Sequence, residues 1–178
     1  MGYEWTDDDC LALADMLREM AISDPTPFLK VWSQESGLTP DPPHNGPARG
    51  LCQFEPATLK GLGYDVAADP TLDAFCALSV AGQMTWIQKY YMPAKKWCYT
   101  TAGVYLWTFL PAQVHLATSP IATVCARYGP YAWAYWSNHG FDTGNSGAIV
   151  VSDLVDAAVR SYDPRGMAIA GRVRALMV

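Results

Sequence analysis

Residues Phe28–Leu59, which read FLKVWSQESGLTPDPPHNGPARGLCQFEPATL, contain the clearest structural pattern of this chain. An apolar, helix-like segment reaches Glu35 and is followed at once by Ser36-Gly37, and glycine commonly ends a helix. Eighteen residues after Glu35 comes Gln53, inside a compact Gly-Leu-Cys-Gln-Phe run. The stretch therefore predicts a single carboxylate at a helix end that faces a short, backbone-rich segment.

Helical periodicity continues along most of the chain, and capping residues, prolines and glycines mark where the helices begin and end. Thr6 with Asp9 resembles a capping box for a first helix that ends near Ser23. Thr26 is expected to N-cap the second helix, with Pro27 at its first position. Further helices are predicted at Pro56–Leu62, from Asp69-Pro70 to Tyr91 (the longest), from Thr100 or Thr101 to near Pro111, and at Ile121–Tyr128, Tyr131–Ser137, Asp153–Ser161 and Pro164–Leu176.

The rest of the chain predicts loops and few strands. Residues Thr39 to Arg49 contain four prolines and are expected to form a loop. Strand patterns occur at most at Leu51–Phe54 and Ala148–Val151. Repeats, low-complexity segments and long linkers are absent from the sequence. We therefore predict a mainly α single domain over residues 1–178, with a minimal β element.

Composition points to one core and a surface rich in aromatic residues. The chain has 178 residues, of which 51% are hydrophobic, so it can bury one sizeable core. Only 16% of the residues are charged, while there are 7 Trp and 10 Tyr, which combine an apolar body with a polar tip. Such side chains can line a groove that binds sugars by stacking. For any single one of them, ordinary packing is the more common role.

Charge and hydropathy exclude two classes of partner. The net charge is −5, and the largest basic group is Lys95-Lys96, which argues against a nucleic-acid or anionic-membrane partner. No uninterrupted apolar run approaches a membrane-spanning length, so we expect no membrane insertion. The first ten residues, MGYEWTDDDC, lack the basic and apolar regions of a signal peptide. We therefore expect synthesis in the cytoplasm and, if the protein acts outside it, delivery by another agent.

Cysteines and histidines show no metal-binding spacing. The five cysteines are scattered and include no CxxC pair; they are Cys10, Cys52, Cys76, Cys98 and Cys125. An odd number without a pattern predicts reduced, mostly buried thiols, and the alternative is up to two disulfides formed after export. The three histidines, His44, His115 and His139, are far apart. The segment from Asp142 to Asp153 overlays an EF-hand loop, but it lacks ligand oxygens and is more typical of a turn. No metal and no cofactor are predicted.

Glu35 has the sequence context of a general acid. It lies four residues after Val31 and seven after Phe28, on or beside the apolar face of its helix. A carboxyl group in that position is partly desolvated, which raises its pKa and keeps it protonated near neutral pH. Cleavage of a glycosidic bond requires such an acid. An isolated glutamate near a helix end more often points to solvent, so the role of Glu35 has to be judged from the surrounding sequence.

The surrounding motifs resemble the soluble lytic transglycosylase family of the lysozyme-like superfamily. That family typically shows an E-S-G-F-x-P element and, after a polar loop, G-L-M-Q-x-x-P-x-T. Here the matching segments are ESGLTP from Glu35 and GLCQFEPAT from Gly50. Leu38 replaces the usual aromatic residue and Cys52 replaces the methionine. The match covers Glu35 to Leu59, and the rest of the chain agrees only in being helical.

The resemblance implies roles for particular residues. Glu35 would be the sole catalytic acid/base, and Ser36 and Gln53 would hydrogen-bond the saccharide. Phe54 and Glu55 would also contact the substrate. The family's Y-N-A-G element is absent, and its nearest counterpart is Ala102–Trp107, which is similar to a run in phage-encoded members. That segment makes Tyr105 a substrate-binding candidate, although a role as a core aromatic residue is about as common.

The implied activity is cleavage of the β-1,4 bond between N-acetylmuramic acid and N-acetylglucosamine in peptidoglycan. A lytic transglycosylase needs only one carboxylate and forms a 1,6-anhydro ring. A muramidase is the first alternative. As a hydrolase it normally needs a second carboxylate, about 5–5.5 Å from the first for a retaining enzyme or about 6.5–9.5 Å for an inverting one. Glu55 or Asp41 could supply it, though a solvated surface charge is the more common role.

The second alternative is a non-catalytic peptidoglycan-binding virion module. The phage-like segment and the expected lack of a signal peptide favour a bacteriophage lysin or a virion-associated enzyme that acts on the bacterial cell wall. Its partners would be peptidoglycan glycan strands and, for a virion role, other phage proteins.

Overall fold

The fold is mainly helical with a small antiparallel sheet, as the sequence predicts. The computed structural model describes residues 2–43 and 46–178. Within these residues the chain forms nine α-helices: α1 (Asp7–Met20), α2 (Thr26–Ser36), α3 (Pro56–Gly61), α4 (Asp73–Cys76), α5 (Val80–Tyr91), α6 (Thr101–Phe109), α7 (Ala132–Asn138), α8 (Val151–Ser161) and α9 (Pro164–Leu176). The strands are β1 (Thr123–Ala126) and β2 (Ala148–Val150), and 3-10 helices occupy Met92–Ala94, Pro111–Thr118 and His139–Phe141.

The N-terminus of α1 confirms the predicted capping box. The Thr6 hydroxyl accepts a hydrogen bond from the Asp9 amide at 3.2 Å, and the Asp9 carboxylate accepts one from the Thr6 amide at 3.0 Å. These reciprocal bonds satisfy amide groups that the first helical turn leaves free. The helix ends at Met20 rather than near Ser23, because Ala21 adopts the left-handed conformation.

The predicted cap of α2 is wrong, although the position of the helix is right. Thr26 is the first helical residue rather than the N-cap, which is Pro25. The Asp24 carboxylate accepts hydrogen bonds from the Thr26 amide at 3.0 Å and the Thr26 hydroxyl at 2.7 Å. A carboxylate two residues upstream is a stronger acceptor than a hydroxyl, and here it has taken over the capping role.

The long helix predicted from Asp69-Pro70 to Tyr91 is also wrong, because two local caps divide it. The Asp69 carboxylate accepts hydrogen bonds from the amides of Ala74 and Phe75, and Leu72 has a positive φ of 61°. The Ser79 hydroxyl then N-caps α5 by accepting from the Gly82 amide at 3.1 Å. Polar side chains that bond to nearby backbone amides compete with helix continuation.

The helix predicted at Ile121–Tyr128 is a strand instead. β1 pairs antiparallel with β2, with Thr123 opposite Val150 and Cys125 opposite Ile149. β-Branched side chains on both strands favour this extended pairing, whose partner lies too far along the chain for helical periodicity to indicate it. β2 confirms the strand predicted at Ala148–Val151.

Among the other predicted elements, the helices are confirmed and the strand at Leu51–Phe54 is wrong. Helices occur where they were expected at α3, α6, α7, α8 and α9. Leu51–Phe54 forms turns rather than a strand, joined by a single bridge between Arg49 and Phe54. The Thr39–Arg49 segment contains no helix or strand in its described part, and His44 and Asn45 lie outside the described residues. None of the described helices is long and apolar enough to cross a membrane.

α2 lies at the centre of the helical packing, against α6, α8 and α9. Phe28, Leu29, Val31 and Trp32 on this helix are fully buried. Phe28 and Trp32 also pack against Tyr91 of α5, with ring centroids 5.1 and 6.4 Å apart. Because α2 is enclosed in this way, the position of its C-terminal residues is set by the core.

The side chain of Gln83 on α5 joins three separate backbone segments inside the core. Its amide nitrogen donates to the carbonyls of Pro40 at 2.9 Å and Phe75 at 3.2 Å, and its amide oxygen accepts from the Leu51 amide at 2.9 Å. Gln83 has no exposed surface. It therefore satisfies three backbone groups that water cannot reach.

Gln83→Leu tests the contribution of this amide to stability. The substitution keeps the volume approximately but leaves buried polar groups without partners, so we expect a loss of about 3 kcal/mol in the free energy of unfolding. Urea unfolding followed by circular dichroism measures it. Gln88→Leu on the same helix, where the amide bonds only the exposed Glu19, serves as the control and should cost less than about 1 kcal/mol. Equal losses for the two variants would contradict the role of Gln83.

Candidate active site

Glu35 lies in the last turn of α2, where the chain reverses sharply. Gly37 and Leu38 both have positive φ, at 60° and 61°. The Leu38 carbonyl accepts a hydrogen bond from the Trp5 indole at 2.9 Å, and the Gly37 carbonyl accepts one from Arg165 at 2.7 Å. These bonds to distant residues hold the turn, so Glu35 has a fixed backbone position next to the core.

Glu35 faces a cleft of about 560 Å³. α2 and α6 contribute most of one wall, the loop from Ala48 to Glu55 contributes another, and α7 with the following 3-10 helix contributes a third. The lining residues are Gln34, Glu35, Ala48, Gln53, Glu55, Tyr105, Thr108, Phe109, Trp133, Ser137, Asn138 and Phe141. A cleft of this size, with aromatic walls and a few polar groups, is typical of a small-molecule or saccharide site.

The carboxyl group of Glu35 is desolvated although the residue remains partly exposed to the cleft. Burial raises its pKa from 4.5 to about 7, and a hydrogen-bond interaction with Tyr105 opposes that shift. Among the described residues that line the cleft, none is basic. Glu35 is consequently half protonated near neutral pH and can both donate and accept a proton there.

Tyr105 is fully buried on α6, beside Glu35. Burial raises the pKa of its hydroxyl, and the charge of Glu35 raises it further. Among the described residues, the hydroxyl has no hydrogen bond of ordinary geometry. Its ring packs edge-on against Phe141 at 5.9 Å. The predicted site residue Tyr105 therefore lies in the wall of the cleft, with its buried hydroxyl beside Glu35.

Gln53 reaches the cleft through a strained turn. It has a φ of 50°, and its side-chain amide donates to the Gly50 carbonyl at 2.9 Å. Gly50 has a φ of 76°, and a Cβ there would lie 2.8 Å from the Gln83 amide oxygen and 2.5 Å from the Phe75 ring. Positive φ is uncommon for a residue with a side chain and tends to occur at functional sites. The turn directs Gln53 into the same cleft as Glu35, as the sequence predicts.

Glu55 also lines the cleft, on its exposed rim. It is the N-cap residue of α3, but its side chain makes no capping hydrogen bond. The cleft therefore contains two carboxylates in different surroundings, one desolvated and one exposed. Asp41, the other candidate for a second carboxylate, lies near Cys76 and is not among the cleft-lining residues.

The structure does not bring Ser36 and Phe54 into the cleft lining. The Ser36 hydroxyl is buried and donates to the Trp32 carbonyl at 3.0 Å, within the same helix. Phe54 is buried against Tyr90 and Phe75, with ring centroids 5.1 and 6.3 Å apart. The helical and turn geometry points these side chains into the protein rather than into the cleft.

Several cleft residues were missed by the sequence analysis. Trp133, Ser137, Asn138 and Phe141 come from a segment about a hundred residues after Glu35. Trp133 is 62% exposed, which is unusual for a tryptophan that only packs. Aromatic residues were recognised as possible groove-lining groups, but nothing local distinguished Trp133 from the other six tryptophans.

Cys52, which replaces the family's methionine, lies behind Glu35 and is 2% exposed. Desolvation raises the pKa of its thiol, and the charge of Glu35 raises it further. All five cysteines are buried, as the sequence predicts for most of them. Cys52 therefore forms an uncharged wall behind the carboxyl group.

The described residues include no cluster of His, Cys, Asp or Glu with metal-binding geometry. Asp142, in the segment that overlays an EF-hand loop, instead organises a turn. Its carboxylate accepts hydrogen bonds from the Ser146 amide at 2.8 Å, the Gly147 amide at 2.7 Å and the Tyr135 hydroxyl at 2.9 Å. These bonds hold the segment that connects Phe141 of the cleft to β2.

The raised pKa of Glu35 makes a prediction about stability. Below pH 4.5 the carboxyl is protonated in both the folded and the unfolded chain, so its burial costs little. Between pH 4.5 and about 7 only the unfolded chain releases the proton, so the stability of the folded protein falls over that range and stays lower above it. Glu35→Gln should therefore be more stable than the wild type above pH 7, by up to about 3 kcal/mol, and little different at pH 4. Urea unfolding at pH 4 and pH 8 measures this. As a control, substitution of the exposed Glu19 (Glu19→Gln) should change the free energy of unfolding by less than about 0.5 kcal/mol at either pH. If Glu35→Gln changed the stability equally at pH 4 and pH 8, the Glu35 carboxyl would not be desolvated in the folded protein.

Comparisons of the chain with protein-family models, with curated proteins and with solved structures find no match.

Proposed function

We propose that this protein is a lytic transglycosylase that cleaves the β-1,4 bond between N-acetylmuramic acid and N-acetylglucosamine in peptidoglycan. The observation that carries the proposal is the desolvated Glu35 carboxyl, with a pKa of about 7, in a cleft that also contains Gln53 and Tyr105. The motif resemblance between Glu35 and Leu59 supports the substrate class.

In the first step, protonated Glu35 donates its proton to the glycosidic oxygen, and the bond from that oxygen to C1 of the muramic acid breaks. The N-acetyl carbonyl of the muramic acid stabilises the positive charge that develops at C1. The chain supplies the acid in the required state, because burial keeps Glu35 protonated to about pH 7.

In the second step, Glu35, now a carboxylate, accepts the proton of the muramic acid 6-hydroxyl. The hydroxyl oxygen bonds to C1 and closes the 1,6-anhydro ring, which restores protonated Glu35. Desolvation favours this step as well, since it makes the carboxylate a stronger base than one in water. In this proposal Gln53 hydrogen-bonds the sugar or its acetamido group, and the buried Tyr105 hydroxyl interacts with Glu35.

The exposed aromatic ring of Trp133 supports a saccharide ligand. Its side chain lines the cleft and is largely accessible, so it offers a flat apolar surface to a sugar ring. The partner we propose is therefore a glycan strand of peptidoglycan. The resemblance of Ala102–Trp107 to phage-encoded enzymes supports a role in bacteriophage lysis or in a virion that acts on the cell wall.

A muramidase is the second candidate, and the position of Glu55 favours it. Glu55 lines the same cleft as Glu35, where a carboxylate could activate a water or act as a nucleophile. The two mechanisms differ in product, because hydrolysis leaves a reducing end that is heavier than the anhydro end by one water.

Glu35→Gln tests whether Glu35 carries catalysis. The amide has nearly the same shape but cannot donate a proton as an acid, so we expect turbidity clearing of purified cell walls to fall by about 10²- to 10⁴-fold. Glu19→Gln, on the exposed surface of α1, should clear walls at the wild-type rate. Equal clearing by wild type and Glu35→Gln would overturn the proposal and favour a non-catalytic binding module.

Product mass separates the two enzymatic candidates. We expect the wild type to release 1,6-anhydromuramyl products, and Glu55→Gln to release the same products with less than about a 10-fold loss of rate, as for one hydrogen bond to substrate. Mass spectrometry of the digested glycan measures both. Reducing-end products from the wild type, together with loss of activity in Glu55→Gln, would instead establish the muramidase.

A further inference from the structure

A second pocket of about 400 Å³ opens beside the cleft, between α7 and α8. It shares Gln34, Ser137, Asn138 and Phe141 with the lining of the cleft. Ala157, Arg160 and Ser161 of α8, together with Gly140, complete it. Because the two spaces share a wall, a ligand bound at Glu35 can extend a branch into this pocket without leaving the protein surface.

The polar groups of the pocket can recognise a peptide. The Ser161 hydroxyl donates to the amide oxygen of Gln34, which fixes that amide, and the Gln34 nitrogen has no acceptor among the described residues. The Asn138 nitrogen donates to the Ala134 carbonyl at 3.1 Å, which leaves its oxygen as an acceptor. The pocket therefore presents fixed donor and acceptor groups next to the apolar side chains of Phe141 and Ala157, as recognition of a peptide backbone with small side chains requires.

Arg160 adds a positive charge at the far side of the pocket. It lies in the last turn of α8 and is exposed. Within the described part of the chain it forms neither a hydrogen bond nor an ion pair, unlike Arg18, Arg165, Arg172 and Arg174. In a chain with a net charge of −5, this guanidinium is available to bind a carboxylate.

We propose that this pocket binds the peptide stem of the muramic acid whose glycosidic bond Glu35 cleaves, with Arg160 binding a carboxylate of that stem. The inference rests on the proposed function. The stem is attached through a lactyl group to the same sugar ring that presents C1 to Glu35, so it leaves the ring close to the acid. Gln34, the residue directly before Glu35, lines both spaces and marks where the branch passes from one to the other.

Stem recognition determines the substrate that the enzyme prefers. Glycan strands that retain their peptides bind in both the cleft and the pocket, whereas strands stripped of peptides bind in the cleft alone. The protein should therefore act on peptide-bearing peptidoglycan before other enzymes have removed the stems.

Binding to an inactive variant tests this without cleavage of the ligand. Glu35→Gln is titrated calorimetrically with the N-acetylglucosamine–N-acetylmuramic acid disaccharide, the same disaccharide with a tetrapeptide stem, and a version with the stem carboxylates amidated. We expect the stem to raise affinity roughly 10-fold through charge-assisted hydrogen bonds. Adding Arg160→Gln should remove that gain, and amidation of the ligand should remove it equally.

Arg18→Gln, in the same Glu35→Gln background, is the matched control, because Arg18 is an exposed arginine on α1 outside both spaces; it should keep the full gain. If the disaccharide binds but the stem adds nothing, or if Arg160→Gln leaves the gain intact, the inference is overturned while the proposed function stands. If no saccharide binds at all, the inference falls together with the proposed function.

Discussion

Three hydrogen bonds made by the buried amide of Gln83 hold together the part of the protein on which the cleft depends. They join the loop at Pro40, the turn at Leu51 and helix α4 at Phe75, which come from different parts of the chain. Without that amide, the backbone groups of Pro40, Leu51 and Phe75 would lose these buried hydrogen bonds. Gly50 is part of the same constraint, since any side chain there would collide with the Gln83 amide. The wall of the cleft opposite Glu35 is thus built from a core interaction.

The carboxyl of Glu35 is held in a position that is costly for the folded protein. α2 is enclosed by three helices, and its last turn places a group that prefers water where desolvation raises its pKa to about 7. Aromatic and polar packing offsets this cost. The Trp32 indole donates to the Tyr91 hydroxyl at 3.4 Å, and that hydroxyl is paired with Thr108 at 2.7 Å. This chain of bonds joins α2, α5 and α6.

The surroundings of the cleft divide its functional groups by burial. Glu35 and Tyr105 lie at the enclosed end, where electrostatic interactions are strong, whereas Glu55 and Trp133 lie at the accessible rim. This gradient is compatible with the proposed single acid/base, because the one desolvated carboxyl lies at the enclosed end of the cleft. The adjoining pocket at Arg160 extends the rim in one direction, and Gln34 joins the two spaces.

Features that depend on residues a few positions apart could be predicted from the amino-acid sequence. Helix ends such as Thr6 and Gly37 were predictable because capping involves residues a few positions apart, and Glu35 and Gln53 were recognised from their local motifs. The strand β1 could be identified only from the tertiary structure. The same holds for the inward orientation of Ser36 and Phe54 and for the place of Trp133 and Phe141 in the cleft. Each of these depends on contacts between distant segments. The direction of the Glu35 pKa shift follows from its place beside the apolar face of α2, but its size depends on everything that packs around the carboxyl.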